Sequence, residues 1–68
     1  MQYKTSIIIP TFNEAGNIKN CVETISTILE KESLDFEIII VDDNSPDGTF
    51  EVAKVIGAYD NRILPFVR

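Results

Sequence analysis

Carboxylate side chains concentrate in two short segments of this chain, residues 10–14 and 42–49, and each segment follows an apolar run. The five carboxylates in or beside these segments are Glu14, Asp42, Asp43, Asp47 and Glu51. Ionised carboxylates only accept hydrogen bonds, so they suit ligands that present N–H or O–H groups, such as the ring N–H of uracil or guanine, or ribose hydroxyls. They also suit hard cations such as Mg²⁺, which binds one or two carboxylates together with substrate phosphates.

Two predicted β-strands position these segments. Residues 5–9 are β-branched and apolar up to Pro10, which we expect to end the first strand, and residues 36–41 form a second apolar run. If the strands are parallel neighbours, both polar segments lie outside the carboxyl ends of the strands. Open α/β sheets bind their ligands at this edge.

A helix is predicted after each strand. Apolar residues at helical spacing predict a first helix over residues 14–31, with Asn13 as its N-cap and Cys21 as an inert core residue. A second helix is expected to begin at Pro46 after an Ser45 N-cap and to end near Gly57.

Residues 63–67 complete a β-α-β-α-β order as a third strand, which Pro65 places at an edge of the sheet. Right-handed crossovers then give a parallel sheet of strand order 3-2-1 with both helices on one face. Residues 7–9 and 38–41 are apolar at every position, which is typical of strands buried on both faces. We therefore expect residues 1–68 to be a fragment of a larger α/β domain, in which more sheet and further helices cover the open face. The alternative is self-association through the uncovered sheet face.

Composition excludes several kinds of site. The 68 residues include one cysteine and no histidine, so the chain alone can form neither an internal disulfide, a Cys/His zinc site nor a histidine-based triad. A net charge of −5 disfavours binding to nucleic acid. With no membrane-length apolar stretch or signal peptide, we expect a cytoplasmic protein, and membrane association through sequence after Arg68 stays open.

Each candidate residue also has a purely structural interpretation. Asn44, Ser45 and Asp47 are common turn and cap residues, and Glu14 would favour the first turn of a helix through its dipole. Adjacent like charges at Asp42 and Asp43 are harder to explain in this way, because capping alone does not require them. Helix N-termini attract anions, but the acidic side chains here weaken that attraction, so a bare phosphate is a poor candidate ligand.

The two segments together resemble a known enzyme family. Residues 6–14 read SIIIPTFNE and residues 41–49 read VDDNSPDGT. This pair resembles the start of an inverting family-2 glycosyltransferase, and the Ser-Pro-Asp-Gly-Thr ending is most similar to dolichyl- or polyprenyl-phosphate mannosyltransferases and their bacterial relatives. The resemblance covers nearly the whole chain.

The resemblance implies the Rossmann-like fold of nucleotide-diphospho-sugar transferases and a set of nucleotide-binding residues. Pro10, Phe12 and Glu14 would line the pocket for base and ribose. Val41 and Asp43 would contact the base, with Asp42 in support. Phe12 replaces the tyrosine common in the family, so a stacking face is kept and a hydroxyl is lost. No catalytic residue and no metal ligand is assigned within this chain.

The resemblance also implies a reaction. The full-length enzyme would transfer a sugar from GDP-mannose or a UDP-sugar to a polyprenyl-phosphate or another acceptor. Its Mg²⁺ or Mn²⁺ would be held mostly outside this chain, because the family's Asp-x-Asp motif follows a later strand. By this resemblance, residues 1–68 would be the N-terminal, nucleotide-binding portion of an incomplete glycosyltransferase domain. They would supply the nucleoside-binding half, and we expect this fragment to be inactive alone.

Other functions stay open. One is a non-catalytic nucleotide-binding fragment. A receiver-like phosphoacceptor domain would need an aspartate at the end of the third strand, and residues 63–68 contain none. A dinucleotide-binding domain would need Gly-x-Gly-x-x-Gly after the first strand, where only Gly16 occurs.

Overall fold

A computed structural model describes residues 4–68 as an α/β unit with three parallel strands and two helices. In chain order the elements are β1 (Thr5–Thr11), α1 (Ile18–Lys31), β2 (Phe36–Asp42), α2 (Thr49–Tyr59) and β3 (Ile63–Val67). The sheet order is β1-β2-β3, with β2 in the centre. The predicted fold class and strand order are confirmed.

The core lies between the helices and one face of the sheet. Alternate residues of β2 are buried, as expected for a pleated strand with one covered face. They join apolar residues of both helices in one cluster, which consists of Ile18, Val22, Phe36, Ile38, Ile40, Ala53 and Ile63. Both helices therefore cover the same face, as predicted from right-handed crossovers.

The opposite face of the sheet is apolar and largely uncovered in the described residues. Ile8 is 66% exposed and Phe66 is 55% exposed. Ile39 and Leu64 are register partners in the same row as Ile8 and are half-buried. This face of the sheet has the apolar composition expected of a covered face. That further sequence covers it stays a prediction.

Pro10 does not end β1, contrary to the prediction. The strand continues to Thr11, and Pro10 pairs in register with Val41. The N–H of Thr5 and the carbonyl of Thr11 both bond toward β2, to Asp35 and Asp43. Backbone groups alternate in direction along a strand, so those of Pro10 point away from β2. The missing N–H of Pro10 therefore removes no bond between β1 and β2.

Both helices begin later than predicted. α1 starts at Ile18 after Asn17, whereas Asn13 has a left-handed φ of 56° and does not cap it. α2 starts at Thr49 after Gly48, whose φ of 92° is left-handed, rather than at Pro46 after Ser45. In both cases the residues before the helix are held by contacts between distant loops, described below.

Two residues of the helices have other environments than predicted. Gly57 lies inside α2 rather than at its C-cap, and a Cβ there would be 2.9 Å from the carbonyl oxygen of Ile63. Its role is to let α2 approach β3 closely. Cys21 is exposed on α1 rather than part of the core.

Arg62 directly precedes β3, at the end of the sheet where the strands begin. Its guanidinium donates to Asp60 through Nε at 3.0 Å and Nη2 at 2.8 Å, and to Glu30 through Nη2 at 2.9 Å. The same group lies 4.5 Å from the ring centroid of Phe36. These hydrogen bonds raise the pKa of Arg62 and lower that of Asp60. The contacts join the end of α1 to the turn before β3.

Neither α1 nor α2, the helices found in residues 4–68, is long and apolar enough to cross a membrane.

Candidate functional site

Two loops meet at the carboxyl end of the sheet. We call residues 12–17, after β1, the first loop, and residues 43–48, after β2, the second loop. Thr11 and Asp42, the last residues of their strands, are register partners, so the two loops leave the sheet side by side. This is the edge at which the sequence predicted a site.

Asp42 is the buried centre of this region. Its side chain is fully buried, and it accepts hydrogen bonds from Thr11 Oγ1 at 2.7 Å, Ser45 Oγ at 2.7 Å and Ser45 N at 2.8 Å. Burial opposes ionisation of this carboxyl, but the hydrogen bonds from Ser45 and Thr11 outweigh it, and the pKa of Asp42 lies below its ordinary value. Asp42 therefore links the strand ends and has no exposed oxygen for a ligand.

Side chains of the second loop and the start of α2 hold the backbone of the first loop. Asn13 N–H donates to Ser45 Oγ at 2.9 Å. The next two N–H groups, of Glu14 and Ala15, donate to Thr49 Oγ1 at 2.9 Å and to Asp47 Oδ2 at 3.1 Å. We call these three contacts the inter-loop clasp. They occupy the N–H groups that would otherwise be open to an anion.

Asp47 and Thr49 are also bonded to each other. Asp47 Oδ1 accepts from Thr49 N at 3.0 Å and from Thr49 Oγ1. The hydrogen bond from the Thr49 hydroxyl has the largest effect on the pKa of Asp47 and outweighs the opposing effect of burial. With the N–H groups of Ala15 and Thr49, it lowers that pKa below its ordinary value. Both oxygens of Asp47 are thus used within the protein.

Asp43 differs sharply from its neighbour Asp42. Its side chain is 60% exposed, and Arg68 Nε lies 3.7 Å from Asp43 Oδ1. Its backbone is fixed, because Asp43 N–H donates to the Thr11 carbonyl at 3.0 Å. The structure thus presents one accessible carboxylate on a well-held backbone at the end of the central strand.

The remaining predicted site residues lie on neighbouring elements at the same end of the sheet. Pro10 and Val41 are register partners at the ends of β1 and β2, on the face opposite the helices. Phe12 is 54% exposed at the start of the first loop, and Glu14 is half-buried within it. Five of the six predicted residues therefore retain accessible surface at this edge, whereas Asp42 is enclosed.

Cavities in the described residues show where a ligand could be enclosed. A cavity of about 280 Å³ beside β1 is lined by Pro10, Thr11 and Glu14 together with residues of α1. A larger one of about 650 Å³ lies between α1 and α2 and contains none of the predicted residues. Within residues 4–68, no three Cys, Asp or Glu side chains are grouped so as to hold a metal ion.

The sequence interpretation missed the role of the clasp. It treated Ser45 and Asp47 as local turn or cap residues and did not single out Thr49. A signal was present, because Ser45, Asp47 and Thr49 are polar residues with oxygen-bearing side chains at alternate positions. Their partners lie more than thirty residues away and could not be identified from local spacing.

Comparisons with known proteins agree with this architecture. Glycosyltransferase AglE of Haloferax volcanii is 42% identical over 57 residues, which cover 82% of this chain and 18% of that protein. The dolichol-phosphate mannosyltransferase of Pyrococcus furiosus is 42% identical over 55 residues, which cover 81% of this chain and 15% of that protein. The chain thus spans less than a fifth of the length of these curated relatives. No solved structure matches.

The family assignment follows from a longer match. Residues 6–68, which contain both loops, β2, β3 and all of β1 except Thr5, match the family described as Glycosyl transferase family 2. The three-stranded parallel sheet with two helices is consistent with the N-terminal part of that fold. The resemblance predicted from the two strand-end motifs is confirmed, and the chain belongs to glycosyl transferase family 2.

Proposed function

We propose that the protein containing this chain transfers a sugar from a nucleotide-sugar to an acceptor, and that residues 4–68 hold the nucleoside. Membership of glycosyl transferase family 2 supports the reaction class. The proposed contacts are Pro10, Phe12, Glu14, Val41 and Asp43, with Asp42 supporting them from below the surface. Phe12 offers an aromatic face for stacking on the base.

The observation that carries this proposal is the contrast between the two adjacent aspartates. Asp42 is fully buried and accepts three hydrogen bonds inside the protein, whereas Asp43 is exposed at the end of the central strand. An exposed carboxylate on a held backbone is suited to accept N–H groups from a nucleobase. Guanine presents two such donors on one edge and uracil presents one, so GDP-mannose and a UDP-sugar are the two donor candidates.

The acceptor and the metal ion extend the proposal beyond these residues. The name of the Pyrococcus furiosus relative, dolichol-phosphate mannosyltransferase, favours a lipid-phosphate acceptor. Within residues 4–68 no three Cys, Asp or Glu side chains are grouped so as to hold a metal ion, and fully buried Asp42 has no exposed oxygen to offer. The ligands of a Mg²⁺ or Mn²⁺ ion would therefore lie mostly outside this chain.

The test is calorimetric titration of the complete protein with GDP and, separately, with UDP. We expect one of the two to bind, and Asp43→Ala to weaken that binding by about 10- to 100-fold, since a hydrogen bond to a charged group contributes about 1.5–3 kcal/mol. Asp35→Ala is the matched control, because Asp35 is also exposed but lies before β2, at the other end of the sheet. Equal affinities of wild type and Asp43→Ala would contradict the proposed contact.

A further inference from the structure

We propose that Thr49 and Asp47 are positioning residues, which set the affinity for the nucleotide by holding the first loop without contacting the ligand. This inference rests on the proposed function, since it concerns the same site. It assigns a role to a residue, Thr49, that has no accessible surface at all. Any effect of Thr49 on binding must therefore pass through its neighbours.

The hydrogen-bond geometry gives the Thr49 hydroxyl a defined direction. The oxygen accepts the N–H of Glu14 at 2.9 Å, and the single hydroxyl proton is directed to Asp47 Oδ1. The other oxygen of Asp47 accepts the N–H of Ala15 at 3.1 Å. Two consecutive N–H groups of the first loop thus depend on one threonine–aspartate pair.

The proposed ligand contacts lie on the loop that this pair holds. Phe12 precedes the clasp and Glu14 is part of it, and between them Asn13 has a left-handed φ of 56°. Asparagine adopts this region more readily than most residues, and the clasp holds the N–H groups of Asn13 and Glu14 on either side of the turn. Without the clasp, the loop would be ordered only on binding, and that ordering would reduce the affinity.

Direct ligand binding is the other function that Asp47 could have, because its side chain is exposed and Oδ2 accepts only the Ala15 N–H. Thr49 offers no such contact, since it is fully buried, and the positioning role therefore rests on Thr49 first. Gly48 lies between Asp47 and Thr49 and has a left-handed φ of 92°, a conformation that glycine adopts without steric cost. This turn allows Asp47 Oδ1 to accept the N–H of Thr49.

The experiment compares Thr49→Val with Thr49→Ser in the complete protein. Valine has the same shape as threonine but cannot accept the Glu14 N–H, whereas serine keeps the hydroxyl. Ile25→Val in α1 is the stability control, because Ile25 packs against the core far along the chain from both loops. For each variant the measurements are the melting temperature, the Kd for whichever of GDP or UDP the wild type binds, and hydrogen exchange of the peptide covering residues 12–17 in the nucleotide-free protein.

We expect Thr49→Val to bind the nucleotide about tenfold more weakly and to exchange faster in residues 12–17. Thr49→Ser should stay within about threefold of wild type in both measurements, and Ile25→Val should lower the melting temperature without changing the affinity. Asp47→Asn, which replaces one acceptor oxygen by an NH₂ group, is the second variant if Thr49→Val does not fold, and it should behave in the same way.

The outcomes separate the two proposals. If the wild type binds neither nucleotide, the proposed function fails, and unchanged exchange of residues 12–17 in Thr49→Val would overturn the clasp's role in holding the loop. If the wild type binds and Thr49→Val binds equally well, the positioning role is wrong while the proposed function stands. An equal loss of affinity in Thr49→Val and Ile25→Val would reduce the effect to general stability and would also overturn the inference.

Discussion

The two ends of the sheet use aspartate in different ways. Where the strands begin, Asp60 and Glu30 share the guanidinium of Arg62, which also stacks on Phe36. Where the strands end, Asp42 and Asp47 accept hydrogen bonds only from hydroxyl and backbone N–H groups. Among the described residues, no basic side chain forms a salt bridge with either of them.

This difference separates a structural end from a binding end. At the amino end, the single positive charge of Arg62 offsets part of the negative charge of Asp60 and Glu30. Neutral donors at the carboxyl end hold Asp42 and Asp47 in place but leave their negative charge. Together with exposed Asp43, this charge favours a ligand that brings N–H or O–H donors, in agreement with the proposed nucleoside site.

The largest effect is expected at the carboxyl end from Asp42→Ala. The substitution leaves the buried Thr11 hydroxyl and both half-buried Ser45 donors without this partner. We expect the free energy of unfolding to fall by about 3 kcal/mol, measured by urea denaturation. Asp43→Ala is the control in the next position, and its exposed side chain should change stability by no more than about 0.5 kcal/mol. Equal losses would show that the two aspartates do not differ as described.

A second effect is expected where α2 packs on β3. Gly57→Ala would place a methyl group 2.9 Å from the Ile63 carbonyl oxygen and 3.0 Å from Pro65 Cδ. Because backbone must shift to accommodate it, we expect a loss of about 2 kcal/mol in the same measurement, despite the better helix propensity of alanine. Gly16→Ala in the first loop has no atom within 4 Å of the new Cβ and should be nearly neutral. A neutral Gly57→Ala would show that α2 can move away from β3 at little cost.

A smaller effect is expected from Arg62→Met at the amino end. Methionine keeps an apolar stem over Phe36 but removes the hydrogen bonds to Asp60 and Glu30. The partly exposed position limits the loss to about 1 kcal/mol, and high salt should reduce the difference between wild type and variant. Nucleotide affinity should not change, since the residue lies at the opposite end. A weakened affinity would break the separation between the two ends.

The last effect is confined to acid conditions. The pKa values of Asp42 and Asp47 are lowered in the folded protein from an ordinary value of 3.8, so the unfolded chain binds more protons as the pH falls. Their contribution to stability is therefore complete well above pH 3.8 and is lost as the pH drops through the lower, folded pKa values. Melting temperatures recorded down this range should fall, and the fall should be shallower in Asp47→Asn. Parallel curves would indicate that Asp47 does not contribute.

Element order was predictable because each strand contains a short, mainly apolar run with polar residues on both sides. β3 was predicted with the bounds it has, and the edge position followed from Pro65. Even the different burial of Asp42 and Asp43 had a signal in the sequence. Asp42 is in phase with inward-facing Ile38 and Ile40, and Asp43 follows the last strand residue.

The helix starts were not predictable from local sequence. Asn13 and Ser45 are residue types that are common at helix N-caps. Here, however, Asn13 N–H donates to Ser45 Oγ, a contact between residues 32 positions apart. Helical periodicity likewise predicted Cys21 beside the apolar positions of α1. In the described residues its side chain is exposed. Such errors arise where tertiary contacts decide between conformations that the local sequence favours equally.

The buried hydrogen bond between Thr11 and Asp42 helps to fix the register of β1 against β2. Residues 7–9 and 38–40 are all isoleucine, so their side chains alone would pair nearly as well if one strand slid along the other. Such a shift would take Thr11 away from Asp42 and leave a buried carboxylate without one of its donors. This buried pair, together with the exposed Ser6–Glu37 hydrogen bond near the other end of the two strands, thus selects one alignment among several, and the buried pair places the two loops beside each other.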